Sequence, residues 1–521
     1  MRKTAVYIFL FIFSLVAANA QPLAIGKIDT TDLRRHLAFL SSDELSGRWV
    51  DNNGYGACKA ADYLKSTVEQ MRLKEGFPGF LQSVPLASSA PDSINSYIEI
   101  RNKKKKLIDK TLNVPSAFTG NYFKTENAPL VFAGFGLKDE TSGYNDFSGI
   151  DISRKVVVLS TGTPASFGSN EKLRWNNQLE MAKTASAMKA GAAAVVLIIG
   201  PADNANEIYY RLKNYLNREN WGLANTAQNA GNNFIIATAD WADKVLGEKG
   251  SYHKLLLAIA KTKKPNSFLV ENVSATIGLK KKTKKIELAN VVAVVEGSDP
   301  VLKNECVVFM AHYDHLGIDK TGDVFNGADD NGSGTVTLLE LAEAFQNDEI
   351  KPNRSIVFLW VTAEEVGMLG SKFYTENPLF PMSKTVACIN LDMVGRVFEP
   401  RDTVWNRSPK KVKDFEGIFA VTNNIWPGLK EKTITACSKT GLVPDFSLPA
   451  YFLGSSDQAS FDKKGVAVLN LSTGYHADYH KPTDEFEKIN FAKMKRVADL
   501  CYWLGLEIAN SEINTNQSKT N

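Results

Sequence analysis

From Asn290 onward the chain alternates between two kinds of pattern. Apolar, β-rich runs at 290–295, 306–310, 355–361, 386–391 and 466–471 are interleaved with helix-like stretches at 335–345 and 491–508. Runs this apolar offer no polar face to solvent, so each strand has to be covered on both sides. Strands of that kind in alternation with helices imply an α/β fold with a mixed, mostly parallel central sheet sandwiched by helices. In such sheets ligands bind beyond the carboxyl ends of the strands. The residues just after each run are therefore the place to seek chemistry.

Four of the runs lead directly into metal-binding side-chain types. The run 306–310 leads to Ala311-His312-Tyr313-Asp314-His315, and 355–361 to Thr362-Ala363-Glu364-Glu365. The run 386–391 leads to Asp392-Met393-Val394-Gly395-Arg396, and 466–471 to Gly474-Tyr475-His476-Ala477-Asp478-Tyr479-His480. A fifth cluster, 326–334 with Asp329-Asp330-Asn331-Gly332, opens the helix pattern at Thr335. Singly, each has an ordinary explanation: a satisfied strand-end His, a solvated acidic pair, a turn with a helix N-cap. Those explanations would all have to hold at one edge of one sheet, although four of the six His in the chain fall in two of the clusters. Imidazole and carboxylate donors without Cys suit zinc or a similar divalent ion, and the excess of carboxylates suggests two ions sharing a bridge.

With these clusters in place the sequence resembles the secreted two-zinc aminopeptidases, whose wider metallopeptidase family includes glutamate carboxypeptidase. That family's ordered set is His-x-Asp, a Gly-Ala-Asp-Asp turn, a Glu-Glu pair, an Asn-x-Asp strand end and a late Tyr-His. Here these are His312-x-Asp314, Gly327-Ala-Asp-Asp330, Glu364-Glu365, Asn390-x-Asp392 and Tyr479-His480. The resemblance implies that Asp329 bridges two metal ions, that His312 and Asp392 complete one of them, and that Glu365 and His480 complete the other. It implies that Glu364 is the catalytic carboxylate, that Asp314 orients His312 through its free ring nitrogen, and that Tyr479 steadies the oxyanion, a packing role for Tyr479 being the alternative. Asp330, His315, His476 and Asp478 are expected to be capping or surface residues. Where many relatives have Ser-Asp-His before a Phe, this chain has Ser456-Asp457-Gln458-Ala459-Ser460-Phe461, which is expected to wall the pocket.

The likeness extends upstream. The segment 33–48, ending Ser-Asp-Glu-Leu-Ser-Gly-Arg48, looks like that family's N-terminal helix and loop. Phe132-Ala-Gly-Phe-Gly, Tyr144-Asn-Asp-Phe and the Gly191-Ala-Ala-Ala-Val run resemble a protease-associated domain, a smaller β-rich α/β insert. Apolar runs at 130–133, 156–159 and 192–199 predict buried strands there, with an Ala-rich helix at 181–190. Residues 94–112 read as short strands around the Lys103–106 turn, and the Lys-rich 280–285 as a polar connector. The expected organisation is a signal peptide at 1–20, catalytic segments at 21–125 and 286–510 around an insert at 126–285, and a polar tail at 511–521.

Arg2 and Lys3 precede an apolar run at 5–18 that closes in Ala18-Asn19-Ala20. This pattern predicts export with cleavage after Ala20 rather than a membrane anchor, because the run is short for a span. No later stretch reads as a transmembrane segment, so integral membrane association is not expected. With 61 Lys+Arg against 57 Asp+Glu the net charge is +4, too small over 521 residues for a broad nucleic-acid surface. Five widely spaced Cys form neither a zinc ribbon nor a CxxC pair, and Cys306 and Cys388 sit in apolar runs as expected of buried thiols. The expected activity is removal of N-terminal residues from peptides. A carboxypeptidase or dipeptidase, a single-ion glutaminyl cyclase and a non-catalytic binding protein remain as alternatives.

Overall fold

The computed structural model describes residues 28–50, 54–164, 175–200, 202–224, 233–247, 250–349, 351–397, 416–423 and 425–513. The chain divides into two compact units, one of residues up to 84 and from 287 onward, the other of residues 85–286. The apolar run at 5–18, the cleavage point after Ala20 and most of the polar tail lie outside the described residues.

The first unit is built on a mixed sheet. Its centre consists of four parallel strands in the order Ser355–Val361, Cys306–His312, Thr385–Leu391 and Ala467–Ser472. Residues 291–295 flank this core antiparallel to Ser355–Val361, and Lys74–Glu75 extends that side. On the other side Gly417–Thr422 runs antiparallel to Ala467–Ser472 and pairs in parallel with Val443–Asp445. Every residue of the first three central strands is buried, as their continuous apolar sequence requires. One face carries Val308, Met310, Leu359 and Val468 against Tyr374 and Phe461, which come from the helices Leu369–Glu376 and Gln458–Asp462. On the other face Phe309 and Phe358 meet Phe345 of the helix Gly334–Asn347. Phe345 in turn packs 4.7 Å from Tyr502 of the helix Phe491–Ala509. Trp360 completes that layer and donates Nε1–H to Thr335 O at 3.0 Å.

Polar side chains pin the strand ends. Asn290 is wholly buried; its amide donates to Gln82 Oε1 and Gly370 O, and its Oδ1 accepts from Thr362 N. This fixes the start of the Glu364-Glu365 turn. Close by in sequence, Ser83 Oγ donates to Glu287, so the two positions where the chain leaves and re-enters this unit are hydrogen-bonded neighbours. The helix Thr30–Leu40 is capped by Asp29, whose carboxylate accepts from Thr31 N at 2.6 Å.

The second unit holds parallel strands Val156–Ser160, Ala194–Ile198 and Phe234–Ala237, joined by part of Tyr122–Phe132. Alternate residues fill two layers: Phe132, Val158 and Val196 pack with Trp241 and Tyr252, while Val131, Val157 and Val195 face the opposite way. The Ala-rich helix runs Asn177–Lys189, one turn earlier than its apolar pattern suggests, because Asn176 caps it by accepting from Leu179 N. This unit begins at Pro85 rather than at the expected 126. The hairpin Tyr97–Asn102 and Leu107–Leu112 pairs with residues 273–278, and Ser116–Ala117 pairs with Phe234–Ile235. The Lys-rich 280–285 is not a loop either: it lies within the strand Phe268–Val295, where Lys281 Nζ donates to Phe118 O at 2.8 Å. The exposed Lys280, Lys282 and Lys285 hid the strand pattern.

All five cysteines are free thiols, four buried and Cys58 exposed. Among the described residues no helix is long and apolar enough to cross a membrane.

Candidate active site

The carboxyl ends of the four central strands converge on one cleft of about 90 Å³. His312 is the last residue of its strand, Asp392 follows Leu391 directly, the Glu364-Glu365 turn follows Val361, and His480 lies eight positions past Ser472. Strand geometry thus delivers His312, Glu364, Asp392, Tyr479 and His480 to a shared wall, and Asp330 joins them from the loop before the helix Gly334–Asn347.

Two groups of donor atoms form around Asp330. The first is His312, Asp330 and Asp392, and the second His315, Asp330 and Glu365, with the donor atoms of each group within 4.8 Å of one another. His312 Nε2 lies 3.5 Å from both Asp330 Oδ1 and Asp392 Oδ1. Across the cleft His480 Nε2 lies 3.1 Å from Asp330 Oδ2 and 3.4 Å from Glu365 Oε2. Asp330 therefore offers one oxygen to each side. This corrects the expectation for Asp329, whose carboxylate turns away: Oδ1 accepts from Gly395 N at 2.7 Å and Oδ2 lies 3.3 Å from His476 Nε2. Two adjacent Asp are equivalent in a motif, and only the course of the loop decides which one points into the cleft.

That loop is held from behind. Asp484, wholly buried, accepts from both Asp329 N and Asp330 N at 3.0 Å through Oδ2. Its Oδ1 lies 3.5 Å from Arg396 Nη1, and Arg396 Nη2 donates to Asp478 at 2.9 Å. His476 and Asp478, expected to be capping or surface residues, are buried parts of this support. On the other flank Arg48, fully buried, donates to Tyr313 O, Asn326 O and Gly327 O, tying the His312 and Asp330 loops together. The preceding Gly47 has φ +65°, and a Cβ there would lie 2.4 Å from Gly317 O, so the Ser-Gly-Arg turn admits only glycine.

Asp314 acts mainly on the acidic pair. Its carboxylate accepts from Glu364 N at 3.0 Å and Glu365 N at 3.3 Å. His312 Nδ1 contacts the Asp314 carbonyl oxygen at 3.2 Å, with the carboxylate at 3.8 Å; the ring is thus oriented by the backbone of Asp314 more closely than by its side chain.

The electrostatics call for cations. Burial pushes the Glu364 carboxyl well above the usual range, and Asp457, Asp392 and Asp314 add to this while His312 opposes it. Burial raises Glu365 likewise, with Asp330 and Glu364 contributing. Burial opposes charge on His312, but hydrogen bonding to Asp392 and the surrounding carboxylates outweigh it and push the imidazole well above its usual range. Among the described lining residues no Lys or Arg neutralises these carboxylates. Paired sets of imidazole and carboxylate donors, with buried carboxylates crowded at one cleft, fit two divalent ions sharing Asp330.

Tyr479 lines the cleft, with its ring stacked 3.8 Å from that of His480 and 4.5 Å from Tyr475. The Ser456–Phe461 segment does not form the wall expected of it. Ser456 and Gln458 accept from the buried Asn390 amide, and Gln458 donates to Phe452 O and Leu453 O. The wall is the preceding stretch with Leu448, Phe452 and Ser455, facing Val421 and Tyr475.

Residues 290–504, which contain every donor of both groups, match the description Peptidase family M28. This segment belongs to peptidase family M28. Aminopeptidase YwaD of Bacillus subtilis (strain 168) is 28% identical over 246 residues, 46% of this chain and 48% of that protein. Leucine aminopeptidase 2 of Trichophyton equinum is 30% identical over 193 residues, 36% of this chain and 33% of that protein. The matched regions span about half or less of the length of these curated relatives. The solved aminopeptidase from Aneurinibacillus sp. strain AM-1 shares the fold, with a TM-score of 0.52 at 19% identity over 94% of this chain and 96% of that one. The M28 segment excludes Arg48, which supports it from outside. Asp330, His315 and His476, expected to be capping or surface residues, and Asp484 and Arg48, given no place at the site, are the residues that motif reasoning missed. Of these only the buried-type company of Asp330 in the Asp-Asp doublet carried a signal.

Proposed function

We propose that this chain is an exported metallo-exopeptidase that removes apolar N-terminal residues from peptides with two divalent ions. The observation that carries the proposal is the sharing of Asp330 between two donor sets, with Glu364 on the same cleft. In this assignment His312, Asp330 and Asp392 hold one ion, and Asp330, Glu365 and His480 the other. Zinc, which the donor chemistry suits, would polarise the scissile carbonyl and lower the pKa of the attacking water toward about 7. Glu364, its backbone fixed by Asp314, takes the water proton and returns it to the departing amine. Tyr479, kept protonated by burial, donates to the developing oxyanion.

The choice of peptide end rests on charge. The cleft presents Asp330, Glu364 and Asp392 to an ammonium group, and its described lining holds no Lys or Arg to receive a terminal carboxylate. Val421, Leu448 and Phe452 make the wall apolar, which favours an apolar first side chain. Unit 85–286 is assigned as a protease-associated insert on the strength of its Phe132-Ala-Gly-Phe-Gly and Gly191-Ala-Ala-Ala-Val segments. The apolar 5–18 run and Ala18-Asn19-Ala20 support export with cleavage after Ala20.

The test is a panel of peptides with free or blocked N-termini, assayed after chelation and after return of zinc, cobalt or manganese. Metal-dependent release of apolar N-terminal residues from free peptides alone is expected. Equal cleavage of blocked peptides would overturn the aminopeptidase assignment, and activity that survives complete chelation would overturn the role of the ions.

A further inference from the structure

His315 stands three residues past His312 and is wholly buried at the edge of an acidic cleft. Its ring occupies space that glycine leaves open: a Cβ on Gly327 would lie 2.4 Å from His315 Cδ2. The two ring nitrogens have different surroundings. Nδ1 lies 2.8 Å from Glu365 Oε1, whereas Nε2 is buried without a hydrogen-bond partner among the described residues. In a neutral imidazole one nitrogen donates and the other accepts. A proton on Nε2 would bury an N–H with no acceptor and set the Nδ1 lone pair against a carboxylate. A proton on Nδ1 gives the donor its acceptor and leaves only a bare lone pair at the wall. The contacts select Nδ1–H.

That hydrogen bond makes the two oxygens of Glu365 unequal. Oε1 is occupied by His315, while Oε2 faces His480 Nε2 at 3.4 Å, beside Asp330 Oδ2. The terminal torsion of a Glu carboxylate is broad and roughly two-fold, so without a partner on Oε1 the group is free to turn. Asp314 fixes the Glu365 backbone at 3.3 Å but does not touch its carboxylate. We propose that His315 is a positioning residue whose Nδ1–H holds Oε1 of Glu365, so that Oε2 is presented with Asp330 and His480 to a divalent ion.

The inference rests on the two-ion assignment above and concerns one of the two ions only. Removing such an outer partner of a metal ligand typically costs about 10–100-fold in affinity. The effect should fall on the ion beside His480 and spare the one beside His312 and Asp392, which His315 does not contact.

The experiment titrates zinc into metal-free full-length protein against a competing chromophoric chelator, resolving two affinities. His315→Ala should weaken one of them by about 10–100-fold and leave the other unchanged. His315→Asn, whose amide N–H reaches the place of Nδ1–H, should restore binding to within about threefold of wild type, well inside that loss. His315→Gln, which fills the space but carries its amide farther out, should behave like His315→Ala. Two unchanged affinities in His315→Ala would overturn the proposal. So would binding in His315→Asn as weak as in His315→Ala, since that outcome assigns the effect to the ring itself, as packing or as a direct ligand. A wild-type chain that takes up no second ion would overturn the two-ion assignment, and this proposal with it.

Discussion

Asp484 makes no contact with the cleft, yet the placement of Asp330 depends on it. One buried carboxylate oxygen receives two consecutive backbone N–H groups, Asp329 N and Asp330 N, both at 3.0 Å. In Asp484→Ala both donors lose their acceptor in a loop whose residues 328–333 are all buried. A buried donor left unsatisfied costs about 1–3 kcal/mol, so the pair predicts a loss of about 2–6 kcal/mol, before any term for Arg396. Arg396 keeps Asp478 at 2.9 Å, which limits that further term. Asp484→Asn retains an acceptor oxygen for the two N–H groups and loses only the charge assistance, worth about 1–2 kcal/mol. Thermal and denaturant unfolding of the metal-free proteins measures the ordering. Metal content after desalting should fall in the same order, because a displaced Asp330 disturbs both donor sets. Equal stability of the Ala and Asn variants would refute the reasoning, since it would mean that the two N–H groups do not need the carboxylate.

Three further outcomes are expected. Asp330→Asn should lose bound divalent ions and activity while Asp329→Asn keeps its ions; metal analysis showing equal loss in the two variants would restore Asp329 as a bridge. Glu364→Gln should retain both ions and lose about 10²–10⁴-fold in turnover, read from kcat alongside metal content. Burial pushes the Glu340 carboxyl up from 4.5 to about 8, with Asp32 and Glu343 adding to it. The folded state therefore binds a proton more tightly than the unfolded chain, and the stability present below 4.5 is lost as pH rises through 8. Glu340→Gln should remove that loss, so its melting temperature relative to wild type should be higher at about pH 9 than at about pH 5; a constant difference would exclude Glu340 as the source.

The parts of the fold that could be foreseen were those under the strictest physical constraint. The runs at 306, 355 and 386 are buried on both faces, so every residue reports the strand, and the position of the residues at their ends is set by the sheet. The places of His312, Glu364, Glu365 and Asp392 just past those strands were accordingly legible. Asp329 and Asp330 were not separable, because neighbouring side chains in an irregular loop take their directions from contacts made by Asp484 and Gly395, far along the chain. His315 and His476 looked like surface residues because their partners, Glu365 and Asp329, are adjacent only after folding. The strand through 280–285 was obscured for the opposite reason: Lys280, Lys282 and Lys285 are exposed and break the apolar pattern. The start of the second unit at Pro85 was not legible for another reason: the strands within 94–112 could be read, but their pairing with residues 273–278 is formed only on folding.

The hydrogen bonds joining Ser83 to Glu287 and Gln82 to Asn290 have a consequence for the chain as a polymer. From residue 85 to residue 286 there are 202 residues (286 − 85 + 1), and they leave and return through points a hydrogen bond apart. A flexible loop of that length would carry a closure entropy that grows by only about 0.6 kcal/mol per doubling of its length. Anchored ends of this kind fix where the chain leaves and re-enters the site-bearing unit by contacts made within that unit. Replacing 85–286 by a short glycine-rich bridge is expected to leave Asn290, Thr362 and the acidic pair they position in register, and zinc uptake by the shortened chain would check it.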